Sequence, residues 1–241
     1  MNGGTLIGVG VGPGDPGLVT LNAIAALKRA DVVAHFAKAG NASNARAIIA
    51  GHLNGAEELK LLYPVTTEIP KAGAAYRDAL RAFYDEAARD IAARLDEGRT
   101  VAVIAEGDPL FYGSYMHLHV RLSARYQTEI VAGVTGMSGC WSAIGTPIAQ
   151  GDDVFTVLPG TLPEYELERR LADTDAAVVM KIGRHLAKVR RALERAGRLD
   201  RAIYVERGTM TNASVMKLTD KLDTFAPYFA MVLVPGWEGR P

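Results

Sequence analysis

The sequence has little cysteine, no excess of charge of either sign and no long apolar run. A single cysteine among 241 residues excludes a disulfide within the chain. Lysine plus arginine and aspartate plus glutamate each number 27, so the formal net charge is zero and no nucleic acid or anionic membrane is favoured as a partner. There is no run of ~18 apolar residues and no leader-like segment near Met1. We therefore expect a cytoplasmic protein with neither a membrane nor a nucleic-acid partner.

Metal ligands and nucleophiles are also sparse. Five histidines are scattered along the chain, and His117 and His119 are two apart in a predicted helix, where they point to different faces. Cys140 lies in a run of small residues without a histidine close to it in sequence, which favours a packed helix over a catalytic thiol. The sequence therefore predicts no metal site, and no Ser-His-acid arrangement is recognisable around Ser114.

An apolar run from Thr5 to Val11 ends in a loop of glycine and proline, Gly12-Pro13-Gly14-Asp15-Pro16-Gly17. Glycines at a strand end let the backbone turn sharply and let a ligand approach it closely. The spacing formally matches the glycine fingerprint of dinucleotide-binding folds. However, prolines lack the amide donors that a pyrophosphate needs, and Asp15 would repel it. The loop suits a ligand that is not strongly anionic near Asp15, or a sharp turn without a ligand, better than it suits NAD.

The first half of the chain alternates strand and helix, which is typical of a parallel sheet covered by helices. Asn44 is predicted to cap a short helix, and Pro70 is predicted to open the longest helix, which Gly98 ends. Strands are predicted at residues 5–11, 32–36, 59–63, 100–105 and 129–131.

The strand from Thr100 to Ala105 is apolar without alternation, so we expect it at the centre of the sheet. It leads into a second loop crowded with acids, glycines and aromatics, residues 106–114. Ligands bind at the carboxyl ends of strands in open parallel sheets, so this loop and the first glycine loop could line one crevice. The alternative is a pair of unrelated tight turns.

The second half of the chain predicts a separate unit. Three glycines between Gly133 and Gly139 indicate a hinge or linker. Beyond them, fewer helices separate the last strands, which favours hairpin pairing and a mixed sheet. We expect an α/β protein with two domains, the first at residues 1–133 with the glycine-rich loop and a mainly parallel sheet, the second at 134–241 with a mixed sheet. Their boundary is expected between residues 132 and 152.

Two motifs, in this order, resemble the signatures of the tetrapyrrole (corrin/porphyrin) methylase family: residues 10–21, and residues 101–115 centred on Gly107-Asp108-Pro109. Later stretches agree, namely residues 133–136, 178–180, 206–209 and 233–235. The resemblance covers nearly the whole chain. It implies two α/β domains with a cleft between them, a homodimer, and S-adenosylmethionine held in that cleft. Within the family, the stretches around Glu106, Tyr112 and Thr135 are most similar to members that methylate carbon 20 of precorrin-2 in cobalamin biosynthesis.

The resemblance also implies the site residues. The cofactor contacts would be Pro13, Glu106, Gly107, Asp108, Phe111, Thr135, Gly136, Met180, Gly208, Thr209 and Pro235. A carboxylate near a cationic sulfonium is favourable, in contrast to one near a pyrophosphate. Asp15 and Tyr112 are the candidate catalytic residues, which would orient the macrocycle or relay the proton lost after transfer. Lys38, Arg46 and Arg184 are the candidates for binding substrate carboxylates.

Two alternatives stay open at this point. The first is the same fold acting on another acceptor, such as cobalt-factor II, uroporphyrinogen III, a protein or an RNA. The second is a module that binds the cofactor without catalysis. Many relatives have a small residue where Glu106 stands, which either marks a subfamily or alters the local cofactor geometry.

Overall fold

The computed structural model describes residues 3–53, 55–64 and 73–236 of the chain. The chain divides into two compact units, Met1–Thr135 and Gly136–Pro241. Over the described ranges, each unit contains one five-stranded sheet. No helix in the same ranges combines the length and the apolar character needed to cross a membrane.

The first unit contains a fully parallel sheet in the strand order β3-β2-β4-β1-β5. Its strands are β1 (Thr5–Gly10), β2 (Val32–Lys38), β3 (Glu57–Tyr63), β4 (Val101–Ala105) and β5 (Gln127–Val131). All five residues of β4 are buried at the centre of the sheet. The predicted central position of this strand is therefore confirmed, because an unbroken apolar run can be buried only where helices cover both faces.

Helices cover the two faces of this parallel sheet. They are α1 (Leu21–Arg29), α2 (Asn44–Ile48), α3 (Ala74–Asp96) and α4 (Tyr115–Leu122). Successive strand residues point to opposite faces, so Ile104 packs in the cluster that includes α1 and α2, while Val103 packs in the cluster that includes α3 and α4. Each face thus has its own apolar layer.

The ends of these helices follow from local capping. Thr20 Oγ1 accepts the N–H of Ala23 at 3.1 Å and begins α1. The prediction that Asn44 caps α2 is wrong, because Ser43 Oγ accepts the N–H of Arg46 at 3.4 Å and Asn44 is the first helical residue. Pro70, predicted to open α3, lies outside the described residues. Gly98, with φ of 79°, follows the end of α3 as predicted.

The second unit contains a mixed sheet in the order β6-β7-β10-β8-β9. Its strands are β6 (Phe155–Pro159), β7 (Ala176–Met180), β8 (Ile203–Glu206), β9 (Ser214–Lys217) and β10 (Ala230–Val234). Only β6 and β7 pair in parallel, and the other neighbours are antiparallel. The predicted mixed sheet is therefore confirmed.

Among the described residues of this unit, three α-helices pack on the second sheet. They are α5 (Gly136–Ile144), α6 (Glu164–Ala172) and α7 (Leu186–Arg195). Helices α6 and α7 share one apolar cluster with Ala177 and Val179, whereas Cys140 of α5 packs with Val178 on the opposite face. The glycine-rich stretch predicted as a hinge is therefore only partly a linker, because it is helical from Gly136 onward. Burial on the sheet overrides the low helix propensity of these glycines.

Candidate functional site

The loops after β1 and β4 meet at the carboxyl edge of the parallel sheet. The N–H of Gly107 donates to the carbonyl oxygen of Gly12 at 2.8 Å, and these two residues form an isolated antiparallel bridge. The prediction that the two loops lie together is confirmed, and the alternative of unrelated turns is wrong. Both Gly12 and Gly107 have positive φ, 81° and 67°, which explains the need for glycine at each.

Asp108 joins a third loop to this pair. Its Oδ2 accepts the N–H of Gly133, just past β5, at 3.1 Å, and its Oδ1 accepts the N–H of Leu110 at 2.9 Å. The Asp108 carboxylate therefore binds the protein's own backbone. By accepting two amide N–H groups it fixes the relative positions of the loops.

Three glycines make this junction possible. A Cβ added to Gly10 would lie 2.6 Å from the carbonyl oxygen of Gly107 and 2.6 Å from Cα of Gly133. A Cβ added to Gly133 would lie 2.8 Å from Cα of Gly10. The backbones of the three loops thus approach one another more closely than any side chain would permit. We call Gly10, Gly107 and Gly133 the glycine junction.

Asp15 and Pro13 lie in the first of these loops. Asp15 is exposed, and its Oδ1 accepts the N–H of Gly17 at 2.8 Å, which caps the single turn Pro16–Leu18. Pro13 is half-buried. The side chain of Asp15 thus has a structural task of its own, and its catalytic role stays a prediction.

Phe111 and Tyr112 lie in the loop after β4. Tyr112 has a positive φ of 54° and is 46% exposed, and its ring meets that of Phe111 edge-on with centroids 4.9 Å apart. The loop is anchored two residues later, where the hydroxyl of Ser114 is hydrogen-bonded to Tyr63 Oη and accepts from Tyr84 Oη at 3.2 Å. A hydroxyl anchor of this kind stabilises a loop that holds a strained residue.

Glu106 sits between β4 and helix α2. Its carboxylate is hydrogen-bonded to the Asn44 side chain and to the backbone of Ala45. Burial of the carboxylate is the larger effect and raises the pKa of Glu106 to about 7, while these two hydrogen bonds lower it. The side chain predicted as a cofactor contact therefore also connects the central strand to a helix of its own unit.

The two candidate substrate-binding residues of the first unit differ in their position and in their hydrogen-bond partners. Lys38 is the last residue of β2 and is half-buried, so it lies at the carboxyl edge with the loops. Arg46 is in α2, where its Nε and Nη2 both donate to the carboxylate of Glu58 at 2.9 Å. Binding a substrate carboxylate through Arg46 would therefore disrupt this bidentate pair.

In the second unit, the predicted site residues divide between two edges of the sheet. Met180 ends β7 and Gly208-Thr209 follow β8. Strand β10 is antiparallel to both, so these ends lie at one edge, together with Arg184 in the turn that follows β7. Pro235 follows β10 and lies at the opposite edge, where Gly236 donates to the carbonyl of Ile148. The structure therefore does not bring Pro235 together with the others.

Close packing explains why residue 208 is a glycine, and the neighbouring Thr209 has a hydroxyl without a hydrogen-bond partner among the described residues. A Cβ added to Gly208 would lie 2.9 Å from Sγ of Cys140 in α5, and burial raises the pKa of that thiol to about 11. This agrees with the predicted packed cysteine. Next to Gly208, the Oγ1 of Thr209 is buried and has no hydrogen-bond partner among the described residues. A buried hydroxyl without a partner is a feature that a polar ligand would satisfy.

Thr135 and Gly136 stand where the two units divide. Thr135 is the last residue of the first unit, and Gly136 begins helix α5. A Cβ at Gly136 would lie 3.7 Å from the Cε of Met231 on β10, an ordinary contact distance. Gly136 is thus next to the mixed sheet, and a Cβ at this position would fit without a clash.

Sequence reasoning missed Lys181 and Arg207 as individual site candidates. Lys181 directly follows β7 and Arg207 directly follows β8, and both have positive φ, 56° and 50°. Non-glycine residues in this conformation are uncommon and concentrate at functional sites. Nothing in the sequence signalled either residue, because this conformation is set by tertiary context.

A comparison with known proteins agrees with the fold. A family model of Tetrapyrrole (Corrin/Porphyrin) Methylases matches residues 5–222. The chain therefore belongs to the tetrapyrrole methylase family.

Two curated relatives and one solved structure are similar over most of their length. Precorrin-2 C(20)-methyltransferase of Sinorhizobium sp is 61% identical over 239 residues, 99% of this chain and 98% of the relative. Cobalt-precorrin-2 C(20)-methyltransferase of Salmonella typhimurium is 27% identical over 240 residues, 98% of each chain. The structure of uroporphyrin-III C-methyltransferase from Thermus thermophilus complexed with S-adenyl homocysteine has a TM-score of 0.64 at 22% identity, and the match covers 95% of this chain and 96% of that one.

Proposed function

We propose that this protein transfers a methyl group from S-adenosylmethionine to carbon 20 of precorrin-2, giving precorrin-3A and S-adenosylhomocysteine, in cobalamin biosynthesis. The observation that carries the proposal is the 61% identity to a precorrin-2 C(20)-methyltransferase over 99% of this chain. Identity to the cobalt-precorrin-2 enzyme is 27%, which favours the metal-free acceptor.

The residues present fit the cofactor. The half-buried ring of Phe111 and the unpartnered hydroxyl of Thr209 offer an apolar and a hydroxyl contact respectively. Met180 adds apolar surface at the edge that holds Thr209. S-adenosylmethionine supplies an electrophilic methyl group.

The remaining work of the protein is alignment and proton handling. The meso carbon between rings D and A of precorrin-2 is enamine-like and needs no added nucleophile, so holding it in line with the donor lowers the barrier most. Asp15 and Tyr112 are exposed in loops at the same sheet edge, which supports their assignment to orienting the macrocycle or accepting the proton lost afterwards. Lys38 and Arg184 are the better-placed candidates for substrate carboxylates, since Arg46 is engaged with Glu58.

Several further parts of the proposal rest on the resemblance to the family. They are the homodimer, the cytoplasmic location, the domain boundary between residues 132 and 152, and the binding cleft between the domains. Gel filtration with light scattering would test the homodimer directly.

Labelled product analysis tests the function. The purified protein is incubated with S-adenosylmethionine carrying a ¹³C-methyl group and, separately, with precorrin-2, cobalt-factor II or uroporphyrinogen III. We expect one new methyl signal at carbon 20 of the precorrin-2 product. Transfer only to a different acceptor would replace the proposed substrate, and cofactor binding without transfer to any acceptor would favour a non-catalytic module.

A further inference from the structure

The segment 109–113 in the loop after β4 is a tight turn that carries an exposed tyrosine. A Cβ added to Gly113 would lie 3.1 Å from the carbonyl oxygen of Pro109, so the two ends of the segment are close together. Between them, Tyr112 is 46% exposed and has a positive φ of 54°. A tyrosine keeps this conformation only where the surrounding structure enforces it, and such residues concentrate at functional sites. The position of Tyr112 therefore depends on the contacts that hold the ends of the segment.

Ser114 holds the far end of this segment through two tyrosine hydroxyls. Its Oγ accepts the hydroxyl of Tyr84 on α3 at 3.2 Å and is also hydrogen-bonded to the hydroxyl of Tyr63, the last residue of β3. Tyr84 is buried and Tyr63 is half-buried, and a buried hydroxyl is costly unless it has a hydrogen-bond partner. The three hydroxyls therefore connect the loop after β4 to a helix and a strand of the same unit.

The ring of Tyr84 is held by helix α4, independently of its hydroxyl. The His117 ring stacks on it with centroids 4.3 Å apart, and the guanidinium carbon of Arg121 lies 5.7 Å from its centroid. Arg121 Nε also donates to Asp85, the next residue of α3, at 2.8 Å. The contacts with the ring need no hydroxyl. A phenylalanine at position 84 would therefore keep the packing of α3 on α4 and lose the bond to Ser114.

We propose that Tyr84 and Ser114 are positioning residues for methyl transfer, which act by holding the segment 109–113 and its Tyr112 in place. The role in transfer rests on the proposed function, whereas the hold on the loop does not. Alignment at a reacting centre is sensitive to displacements of about 1 Å, which can lower a rate strongly. A neutral hydrogen bond, in contrast, contributes little to the stability of a whole protein. Loss of the Tyr84 hydroxyl should therefore lower turnover out of proportion to its effect on stability.

The experiment compares Tyr84→Phe, Ser114→Ala and the double variant with a matched control. The control is Tyr126→Phe, because Tyr126 is 7% exposed against 6% for Tyr84 and its hydroxyl donates to Asp96 of α3 at 2.8 Å. Tyr126 directly precedes β5 and so lies at the amino edge of the parallel sheet, away from the segment 109–113. For each protein we measure kcat at saturating precorrin-2 and S-adenosylmethionine, the melting temperature, and hydrogen–deuterium exchange of residues 110–113.

We expect Tyr84→Phe to lower kcat about tenfold and to speed the exchange of residues 110–113. A hydrogen bond to a carboxylate is at least as strong as one to a hydroxyl, so Tyr126→Phe should lower the melting temperature at least as much. It should nevertheless leave kcat and this exchange unchanged. Ser114→Ala should lower kcat further, because it removes the partner of both tyrosines. The double variant should match Ser114→Ala, because Tyr84 acts through Ser114.

Three results would each overturn the inference. They are unchanged kcat or unchanged exchange in Tyr84→Phe, equal losses of kcat in Tyr84→Phe and Tyr126→Phe, and losses of the two single variants that multiply in the double variant. If the wild type transfers no methyl group to any acceptor, the proposed function fails. Faster exchange in Tyr84→Phe would then still support the hold on the loop, and unchanged exchange would overturn it.

Discussion

The buried carboxyl of Glu106 should make the stability of this protein fall as the pH rises. Burial raises its pKa from an ordinary value of 4.5 to about 7. Between these two values the unfolded chain has released the proton and the folded chain still holds it. The stabilising contribution is therefore complete below pH 4.5 and is lost as the pH rises through 7.

The magnitude follows from the two pKa values. At about 1.36 kcal/mol for each pH unit between them, the contribution of Glu106 to the free energy of unfolding falls by about 3 kcal/mol from mildly acidic to mildly alkaline pH. Glu106→Gln keeps the shape and removes the titration, and its amide oxygen can still accept a hydrogen bond. The free energy of unfolding of the variant should therefore fall by about 3 kcal/mol less than that of the wild type over the same pH interval.

Urea denaturation followed by circular dichroism, at several pH values from 4.5 to 8, measures the difference. The matched control is Glu97→Gln, since the Glu97 side chain is 65% exposed after the end of α3. Its stability curve should run parallel to that of the wild type. Parallel curves for Glu106→Gln as well would refute the reasoning, because they would show that Glu106 ionises in the folded protein as easily as in the unfolded chain.

Three further predictions concern single residues. Asp15→Asn should leave S-adenosylhomocysteine affinity nearly intact and lower precorrin-2 turnover by about one to two orders of magnitude. The reason is that a charge-assisted hydrogen bond contributes about 1.5–3 kcal/mol. A lower melting temperature with normal turnover would leave Asp15 only its capping role. Gly133→Ala should destabilise the protein by about 1–3 kcal/mol in urea titrations, because the added Cβ meets the backbone of Gly10. The control Gly51→Ala should be nearly neutral, because its Cβ meets nothing within 4 Å. Equal losses of stability in the two variants would contradict the predicted clash. Cys140 should resist a thiol reagent at pH 8 until urea unfolds the protein, because burial raises its pKa to about 11, and rapid labelling of the folded protein would contradict its packing.

The sequence was most informative where pattern and burial agree. The end of the longest helix was predicted at Gly98, whose positive φ is the conformation that favours glycine after a helix. The central place of β4 followed from its unbroken apolar run. These features depend on local periodicity, which is readable without the rest of the chain.

Features set by tertiary context were not readable in this way. The left-handed conformations of Lys181 and Arg207 are enforced by their surroundings, and nothing in a lysine or an arginine signals them. The glycines from Gly136 to Gly139 favour a linker in isolation, yet packing on β7 makes them helical. Motif resemblance named Asp108 as a site residue, but the hydrogen bond from Gly133 to its carboxylate depends on the fold and could not be inferred from the sequence.

The glycine junction divides the first unit into a part that evolution or an engineer can vary and a part that is fixed. Gly10, Gly107 and Gly133 are at the points where three loops leave the sheet. A methyl group on Gly10 or on Gly133 would meet the backbone of the other two residues. Changes of acceptor are therefore expected farther along the loops, at exposed side chains such as those of Leu110 and Tyr112. Loop exchange between relatives should succeed when the grafted segment begins and ends outside the junction, and insertions beside one of its glycines should move all three loops at once.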